Sequence, residues 1–196
     1  YYGQLMITTN AHIGNYGVKS NEVESENIKI AGLICKNFNN GFSRYGGDSD
    51  LSTYFIEQNK IVISDVDTRA VVRHIRDKGA MNAVISTNNL SISELEKILS
   101  KVPSMEGLEL SSSVSTQKPY FYGDPKSKIK IAVLDLGVKR NILKCMSDRG
   151  CYLKVFPMNT KFEEMSNWNP HAFFLSNGPG DPSAMPQVIE QVKKIT

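Results

Sequence analysis

The sequence lacks the patterns that mark disulfide-linked, zinc-binding and membrane-spanning proteins. Only three of its 196 residues are cysteines, and they form no CxxC pair. Their spacing argues against a zinc site or a disulfide framework and favours a reducing compartment, by default the cytoplasm. No segment approaches the roughly 20 uninterrupted apolar residues of a membrane helix, so no membrane contact is expected. No histidine pair has metal-ligand spacing, and no metal site is expected.

The charge is also small. The formal net charge is +3, and no run mixes basic and aromatic residues, so nucleic acid is not an expected partner. With 40% hydrophobic and 22% charged residues, the composition is that of an ordinary globular protein and excludes collagen-like and disordered classes. The opening residues, 1–4, look like neither a signal peptide nor an initiator start, and we expect the sequence to begin within a longer protein.

A polar stretch separates two regions of different pattern. Residues 111–119 are rich in serine and threonine, and 123–127 add glycine, aspartate and proline, so 111–127 is the predicted linker. The sequence thus predicts one domain over residues 1–110 and a second over 128–196.

The first region alternates short strand-like runs with turns and helices. The predicted elements occupy residues 4–9, 28–36, 51–57 and 61–64. Asp67 is predicted to cap a further helix, and Ser93 with Glu96 to form a capping box for the next one. The arginines at positions 69, 73 and 76 share one helix face, which is either solvated or docks a partner. This region is predicted to be a mixed α+β domain.

The second region contains three β–α units. Its predicted strands cover 129–136, 152–156 and 171–175, and apolar residues at helical spacing follow each one. Gly150 ends the first helix, and Thr160 with Glu163 is predicted to cap the second. Successive units of this kind predict a right-handed parallel sheet with helices on both faces.

Two loops at the carboxyl ends of these strands are candidates for a site, because ligands of open α/β sheets bind there. They are Asp135-Leu136-Gly137 and Ser176-Asn177-Gly178-Pro179-Gly180-Asp181-Pro182. Two glycines let the second loop's backbone approach a ligand and present N–H groups to an anion or oxyanion, while its prolines stiffen it. A rigid turn with no ligand is the competing interpretation. No GK[ST] motif or third glycine follows, which excludes a P-loop or a dinucleotide fingerprint.

The Ser176–Pro182 loop resembles the oxyanion loop of class I glutamine amidotransferases, and more narrowly that of carbamoyl-phosphate synthase small subunits. Segment 135–142, DLGVKRNI, is similar to the D-x-G-x-K-R-N-I motif of those subunits. Matches in the first region lie at 12–17, 31–33, 67–69 and 78–81. Other class I amidotransferases lack this N-terminal domain, so the resemblance is specific and covers nearly the whole chain. It implies the first three β–α units of a flavodoxin-like domain.

The resemblance implies a cytoplasmic glutaminase in arginine and pyrimidine biosynthesis. A cysteine thiolate activated by a His–Glu pair would attack L-glutamine, and the ammonia would pass to a large subunit that binds ATP and magnesium and makes carbamoyl phosphate. The resemblance implies that the Gly178 N–H binds the oxyanion and that Gly180 contacts bound glutamine. The nucleophilic cysteine, histidine and glutamate are expected after Thr196, so none of the catalytic residues lies in this chain and the 196-residue piece is expected to be inactive alone.

Two hypotheses of other classes remain open at this point. The chain is alternatively a non-catalytic α/β module whose loop binds a small anion or nucleotide, or an interaction scaffold that docks a partner through its first domain. The three cysteines are expected to be small buried hydrophobic residues.

Overall fold

The computed structural model describes residues 1–195 and divides the chain into two compact units. The first is Tyr1–Pro103, and the second begins at Ser104. Both units mix helices with parallel strands, which confirms the predicted fold class. No helix among residues 1–195 combines the length and the apolar character needed to cross a bilayer.

The first unit is built on short parallel strands. The strands are β1 (Leu5–Ile7), β2 (His12–Ile13), β3 (Gly32–Ile34), β4 (Asn37–Phe38) and β5 (Ile61–Ile63). A three-stranded sheet has the order β1-β3-β5, and a separate two-stranded sheet pairs β2 with β4. Leu33, on the central strand β3, and Cys35, directly after that strand, are both buried. β1, β3 and β5 lie within the predicted runs 4–9, 28–36 and 61–64 but are shorter than predicted, whereas β2 and β4 lie outside every predicted run.

The helices of this unit begin at side-chain caps. They are α1 (Leu51–Glu57), α2 (Thr68–Lys78) and α3 (Ile92–Leu99). The Asp67 carboxylate accepts a hydrogen bond from the Ala70 N–H at 3.0 Å, which confirms the predicted cap of α2. The three arginines of α2 are all exposed.

The predicted capping box of α3 is wrong by two residues. The box is formed by Ser91, whose Oγ accepts from the Glu94 N–H, while the Glu94 carboxylate accepts from the Ser91 N–H at 2.7 Å. Both Ser91 and Ser93 precede a glutamate by three residues, so the sequence offers two overlapping boxes. The helix begins at the earlier one.

The second unit contains the three predicted β–α units. The elements are β6 (Tyr120–Tyr122), β7 (Ile129–Asp135), α4 (Arg140–Ser147), β8 (Cys151–Pro157), α5 (Phe162–Ser166), β9 (Ala172–Leu175) and α6 (Pro186–Ile195). The sheet has the order β6-β8-β7-β9, in which β7, β8 and β9 are parallel and β6 runs antiparallel to β8.

Helices cover both faces of this sheet, as the sequence predicts. On one face, Leu143 of α4 packs with Val133, Leu153 and Val155. On the other face, α5 and α6 cover Ala132, Leu134 and Phe156 through Met165 and Val188. Burying each large apolar side chain contributes roughly 1.5–3 kcal/mol to the free energy of folding. Because alternate residues of β7 and β8 face opposite sides of the sheet, these contacts determine which helix lies on which face.

The structure differs from the sequence prediction at the linker and at α5. Segment 111–127 belongs to the second unit, where it adds β6 to the sheet and buries Ser111 and Ser115. Its hydroxyls bond to the protein backbone, which is why a polar composition here does not indicate a linker. The predicted cap at Thr160 is also wrong: α5 begins after Lys161, with no side-chain cap.

Candidate functional site

The two candidate loops lie side by side at the switch point of the sheet, where the strand order reverses. From central β7 the chain crosses to β8 on one side and then returns past β7 to β9 on the other. The loops that follow β7 and β9 therefore leave towards opposite faces of the sheet and form a crevice between them. Open α/β sheets bind their ligands in such a crevice. The Leu136 N–H donates to the Ser176 Oγ at 2.8 Å and joins the two loops.

The loop after β7 is organised by one buried carboxylate. The side chain of Asp135 is 4% exposed and accepts three backbone hydrogen bonds. Its Oδ1 accepts from the N–H groups of Gly137 and Val138 at 2.9 and 2.8 Å, and its Oδ2 accepts from the Thr116 N–H at 2.7 Å. Because three donors satisfy this carboxylate, Asp135 holds the loop in place.

The loop after β9 passes so close to other backbone that two of its positions admit only glycine. A Cβ on Gly178 would meet the Leu136 carbonyl oxygen and lie 2.5 Å from the Ser111 Oγ. Gly180 has a φ of +88°, and a Cβ there would meet the Leu108 carbonyl oxygen. The glycines therefore permit close packing beneath the loop as well as approach from outside.

Residues 107–111, here called the strap, run along this loop. The Gly107 N–H donates to the Asp181 Oδ2, and the Asp181 N–H donates to the Leu108 carbonyl oxygen, both at 2.9 Å. The hydrogen bonds from Gly107 and then Ser183 hold the pKa of the Asp181 carboxyl below its ordinary value. The Ser111 Oγ donates to the Pro179 carbonyl oxygen at 3.3 Å.

The strap is the part of the site that sequence reasoning missed. The predicted domain boundary at residue 110 separates most of it from the loop that it contacts. The sequence pattern that indicates the strap is the alternation of apolar Leu108 and Leu110 with Glu109, which is typical of a short extended segment. Glu109 forms an isolated antiparallel bridge with Gly180.

Gly178 and Gly180, the predicted glutamine-binding residues, lie together on this loop. Within residues 1–195, neither glycine N–H donates to an acceptor in the chain, and Gly178 is exposed. Two backbone donors on a loop held by the strap can stabilise an anion or a developing oxyanion without reorganising. Their contact with glutamine remains a prediction.

The two cysteines of the second unit lie away from this loop. Cys151 begins β8 at the amino edge of the sheet, opposite Ile129, whereas the loop follows β9 at the carboxyl edge. Cys145 lies in the last turn of α4. Cys35 belongs to the first unit and is fully buried, and this burial raises the pKa of its thiol. Among residues 1–195, no three His, Cys, Asp or Glu side chains are grouped to hold a metal ion.

A cavity of about 510 Å³ lies beside the site in the second unit. Its walls come from residues 109–117, from 157–159 after β8 and from 184–188 at the start of α6. The Ser115 Oγ in its wall accepts from the Met158 N–H at 2.9 Å. None of residues 176–182 lines the cavity, so it is separate from the glycine loop.

Comparison with known proteins gives a family for each part of the chain. Residues 1–85 match the family described as carbamoyl-phosphate synthase small chain, CPSase domain. Residues 132–196, which include the glycine loop, match the class-I glutamine amidotransferase family.

Curated proteins named carbamoyl phosphate synthase small chain are similar to this chain over all or nearly all of its length. The carbamoyl phosphate synthase small chain of Chlorobaculum tepidum is 36% identical over 195 residues, which cover all of this chain and 53% of the relative. The small chain of Buchnera aphidicola is 38% identical over 209 residues, covering 98% of this chain and 54% of the relative. The small chain of Clostridium perfringens is 35% identical over 196 residues and 54% of its length. The chain thus spans about half the length of these relatives.

Proposed function

Because the chain belongs to the carbamoyl-phosphate synthase small chain family, we propose that it supplies the glutamine-binding loop of an enzyme that makes carbamoyl phosphate. Glutamine is hydrolysed to glutamate and ammonia, and the ammonia passes to a large chain. That partner binds ATP and magnesium and converts bicarbonate and ammonia to carbamoyl phosphate. The observation that carries this proposal is the glycine loop at the switch point of the sheet, with its two N–H groups unoccupied by other parts of the described chain.

The two glycines have different roles in this proposal. The Gly178 N–H donates to the oxygen that becomes negatively charged when a nucleophile attacks the side-chain amide of glutamine. The Gly180 N–H binds glutamine before the reaction. The loss of one oxyanion donor costs about 2.7–4 kcal/mol of transition-state stabilisation, equivalent to a rate reduced by about 10²–10³.

The nucleophile comes from outside residues 1–196 in this proposal. A cysteine thiolate attacks the amide carbon, the carbon–nitrogen bond breaks, and ammonia leaves after protonation by a histidine that a glutamate orients. Water then releases glutamate from the thioester. This assignment is supported by the positions of Cys151 and Cys145 towards the other edge of the sheet and by the complete burial of Cys35.

The test is glutamate release by the small chain assembled with its large chain. We expect Gly178→Ala to lower the glutamine-dependent rate at least about 100-fold, because the Cβ displaces the loop from Leu136. Carbamoyl phosphate synthesis from added ammonia, which bypasses glutamine, should stay within about twofold. Gly41→Ala is the control, since a Cβ there meets open space and Gly41, like Gly178, has no positive φ angle.

Two outcomes would count against the proposal. An unchanged glutamine-dependent rate in the Gly178→Ala enzyme would remove the loop from the reaction. An assembled wild-type enzyme that releases no glutamate would refute the glutaminase function and favour the anion-binding or docking module.

A further inference from the structure

We propose that two buried serine hydroxyls, those of Ser176 and Ser111, orient the Gly178 and Gly180 N–H groups for glutamine. This inference rests on the proposed function and assigns to each serine a positioning role, with no contact to substrate. Both serines are almost inaccessible, with exposed fractions of 6% for Ser176 and 0% for Ser111.

The first step is the covalent geometry of the peptide group. A carbonyl and the N–H of the next residue belong to one planar unit, and in a trans unit they point in opposite directions. The chain contains no cis peptide bond among residues 1–195. A hydrogen bond that fixes the carbonyl of one residue therefore fixes the N–H direction of the following residue.

Each serine bonds to the carbonyl immediately before one of the two glycines. The Ser176 Oγ donates to the Asn177 carbonyl oxygen at 2.9 Å, so it fixes the peptide unit that carries the Gly178 N–H. The Ser111 Oγ donates to the Pro179 carbonyl oxygen at 3.3 Å, so it fixes the unit that carries the Gly180 N–H. In both cases the N–H points away from the buried hydroxyl.

The hydroxyls are themselves held in place. The Ser176 Oγ accepts from the Leu136 N–H at 2.8 Å, which ties it to the end of β7. Ser111 begins a 3-10 turn over Ser111–Ser113, and its carbonyl oxygen accepts from the Ser115 N–H at 2.8 Å. Glycine has the fewest restraints on its own backbone, so the two N–H groups need this external support to be preorganised.

The two roles predict different kinetic effects in the assembled enzyme. Ser176→Ala should lower kcat for glutamine about tenfold, because it loosens the donor that acts only on the oxyanion. Ser111→Ala should raise KM for glutamine about tenfold with kcat within about twofold, because it loosens a donor that acts in the ground state. A merely structural defect would lower both the glutamine-dependent and the ammonia-dependent rates.

Ser111→Ala is the decisive variant, because Ser176→Ala also leaves the Leu136 N–H without its acceptor and lowers stability. Ser113→Ala is its matched control, since Ser113 is exposed in the same 3-10 turn. A KM within twofold of wild type for Ser111→Ala, in an enzyme that uses glutamine, would overturn the inference.

A second measurement separates this inference from the proposed function. In the 196-residue chain, the NMR order parameter of the Gly180 N–H should fall from about 0.85 to below about 0.6 in Ser111→Ala and stay unchanged in Ser113→Ala. If the assembled wild-type enzyme does not use glutamine, the proposed function fails, and the order parameter alone decides whether Ser111 holds the loop. An unchanged order parameter in Ser111→Ala overturns the inference.

Discussion

At the scale of the residue, the glycines of the second unit differ in what surrounds them, and this difference can be measured. Gly180 and Gly150 both have positive φ angles, +88° and +81°, but a Cβ on Gly150 meets nothing within 4 Å. Alanine in this region costs roughly 1–2 kcal/mol from backbone strain alone. We expect Gly150→Ala to lower the free energy of unfolding by about that amount, and Gly180→Ala by at least about 1 kcal/mol more because its Cβ meets the Leu108 carbonyl.

Urea unfolding followed by Trp168 fluorescence measures both variants. Trp168 is the only tryptophan of the chain, and its ring lies 6.0 Å from that of Phe121 and 5.9 Å from that of Tyr152, so it reports on the second unit. Equal losses in the two variants would show that the strap does not crowd Gly180.

Asp181 gives a prediction about acid stability. Its pKa is lowered by the hydrogen bonds from Gly107 and Ser183, so the folded state binds its proton less readily than the unfolded chain does. This contribution is present above the unfolded pKa of about 3.9 and is lost as the pH falls through the lower folded value. Asp181→Asn should therefore be less stable than wild type at pH 7, and the difference should shrink below about pH 4.

The same urea unfolding at pH 7 and pH 3 measures this difference. Glu106→Gln is the control, since the Glu106 carboxylate is exposed and accepts no hydrogen bond within residues 1–195. A gap between Asp181→Asn and wild type that is as large at pH 3 as at pH 7 would contradict the role of the charge.

At the scale of the element, the start of α3 distinguishes two overlapping caps. Ser91 and Glu94 form the box in the structure, whereas Ser93 and Glu96 have the same spacing in the sequence. Ser91→Ala should destabilise the helix by about 1 kcal/mol, and Ser93→Ala by less than about 0.5 kcal/mol. Amide hydrogen exchange over Ile92–Leu99 measures this, and faster exchange in Ser93→Ala than in Ser91→Ala would reverse the assignment.

The elements that the sequence predicts well are long ones that carry apolar residues on one face or on both faces. The second half of β7 is buried on both faces, so its apolar run is nearly continuous, while β8 alternates buried Cys151, Leu153 and Val155 with half-buried Tyr152 and Lys154, and the positions of both strands follow from the sequence. β6 has three exposed or half-buried aromatic residues beside polar neighbours, and its strand state depends on pairing with β8. Pairing partners far along the chain leave little local signal, which is why segment 111–127 resembles a linker.

At the scale of the whole molecule, the sheet order explains which part of the site was predictable. The two loops follow strands recognisable from hydrophobicity, and the rule for open α/β sheets brings them together. The strap lies 65 or more residues before the loop in the sequence, and each of these hydrogen bonds joins a side chain of one segment to a backbone group of the other, a pairing that no local sequence pattern indicates. Ser111 and Gly107 therefore enter the site only once the fold is known.

The placement and burial of the cysteines also predict that none of them is the nucleophile. Cys145 and Cys151 lie at the end of α4 and at the amino edge of the sheet, whereas the glycine loop lies at the carboxyl edge, and Cys35 is fully buried. The triple variant Cys35→Ala, Cys145→Ala, Cys151→Ala, assembled with the large chain, should keep its glutamine-dependent rate within about threefold. The purified 196-residue chain alone should release no glutamate from glutamine.

Both measurements use the same glutamate assay, and the ammonia-dependent rate of the triple variant serves as its control for folding and assembly. A glutamine-dependent rate reduced by more than about 100-fold, with the ammonia-dependent rate intact, would place the nucleophile among these three cysteines. Glutamate release by the short chain would do the same. For Cys151, the length of β8 opposes this outcome, because a seven-residue strand spans roughly 20 Å between the amino edge, where Cys151 lies, and the carboxyl edge, where the Gly178 loop lies.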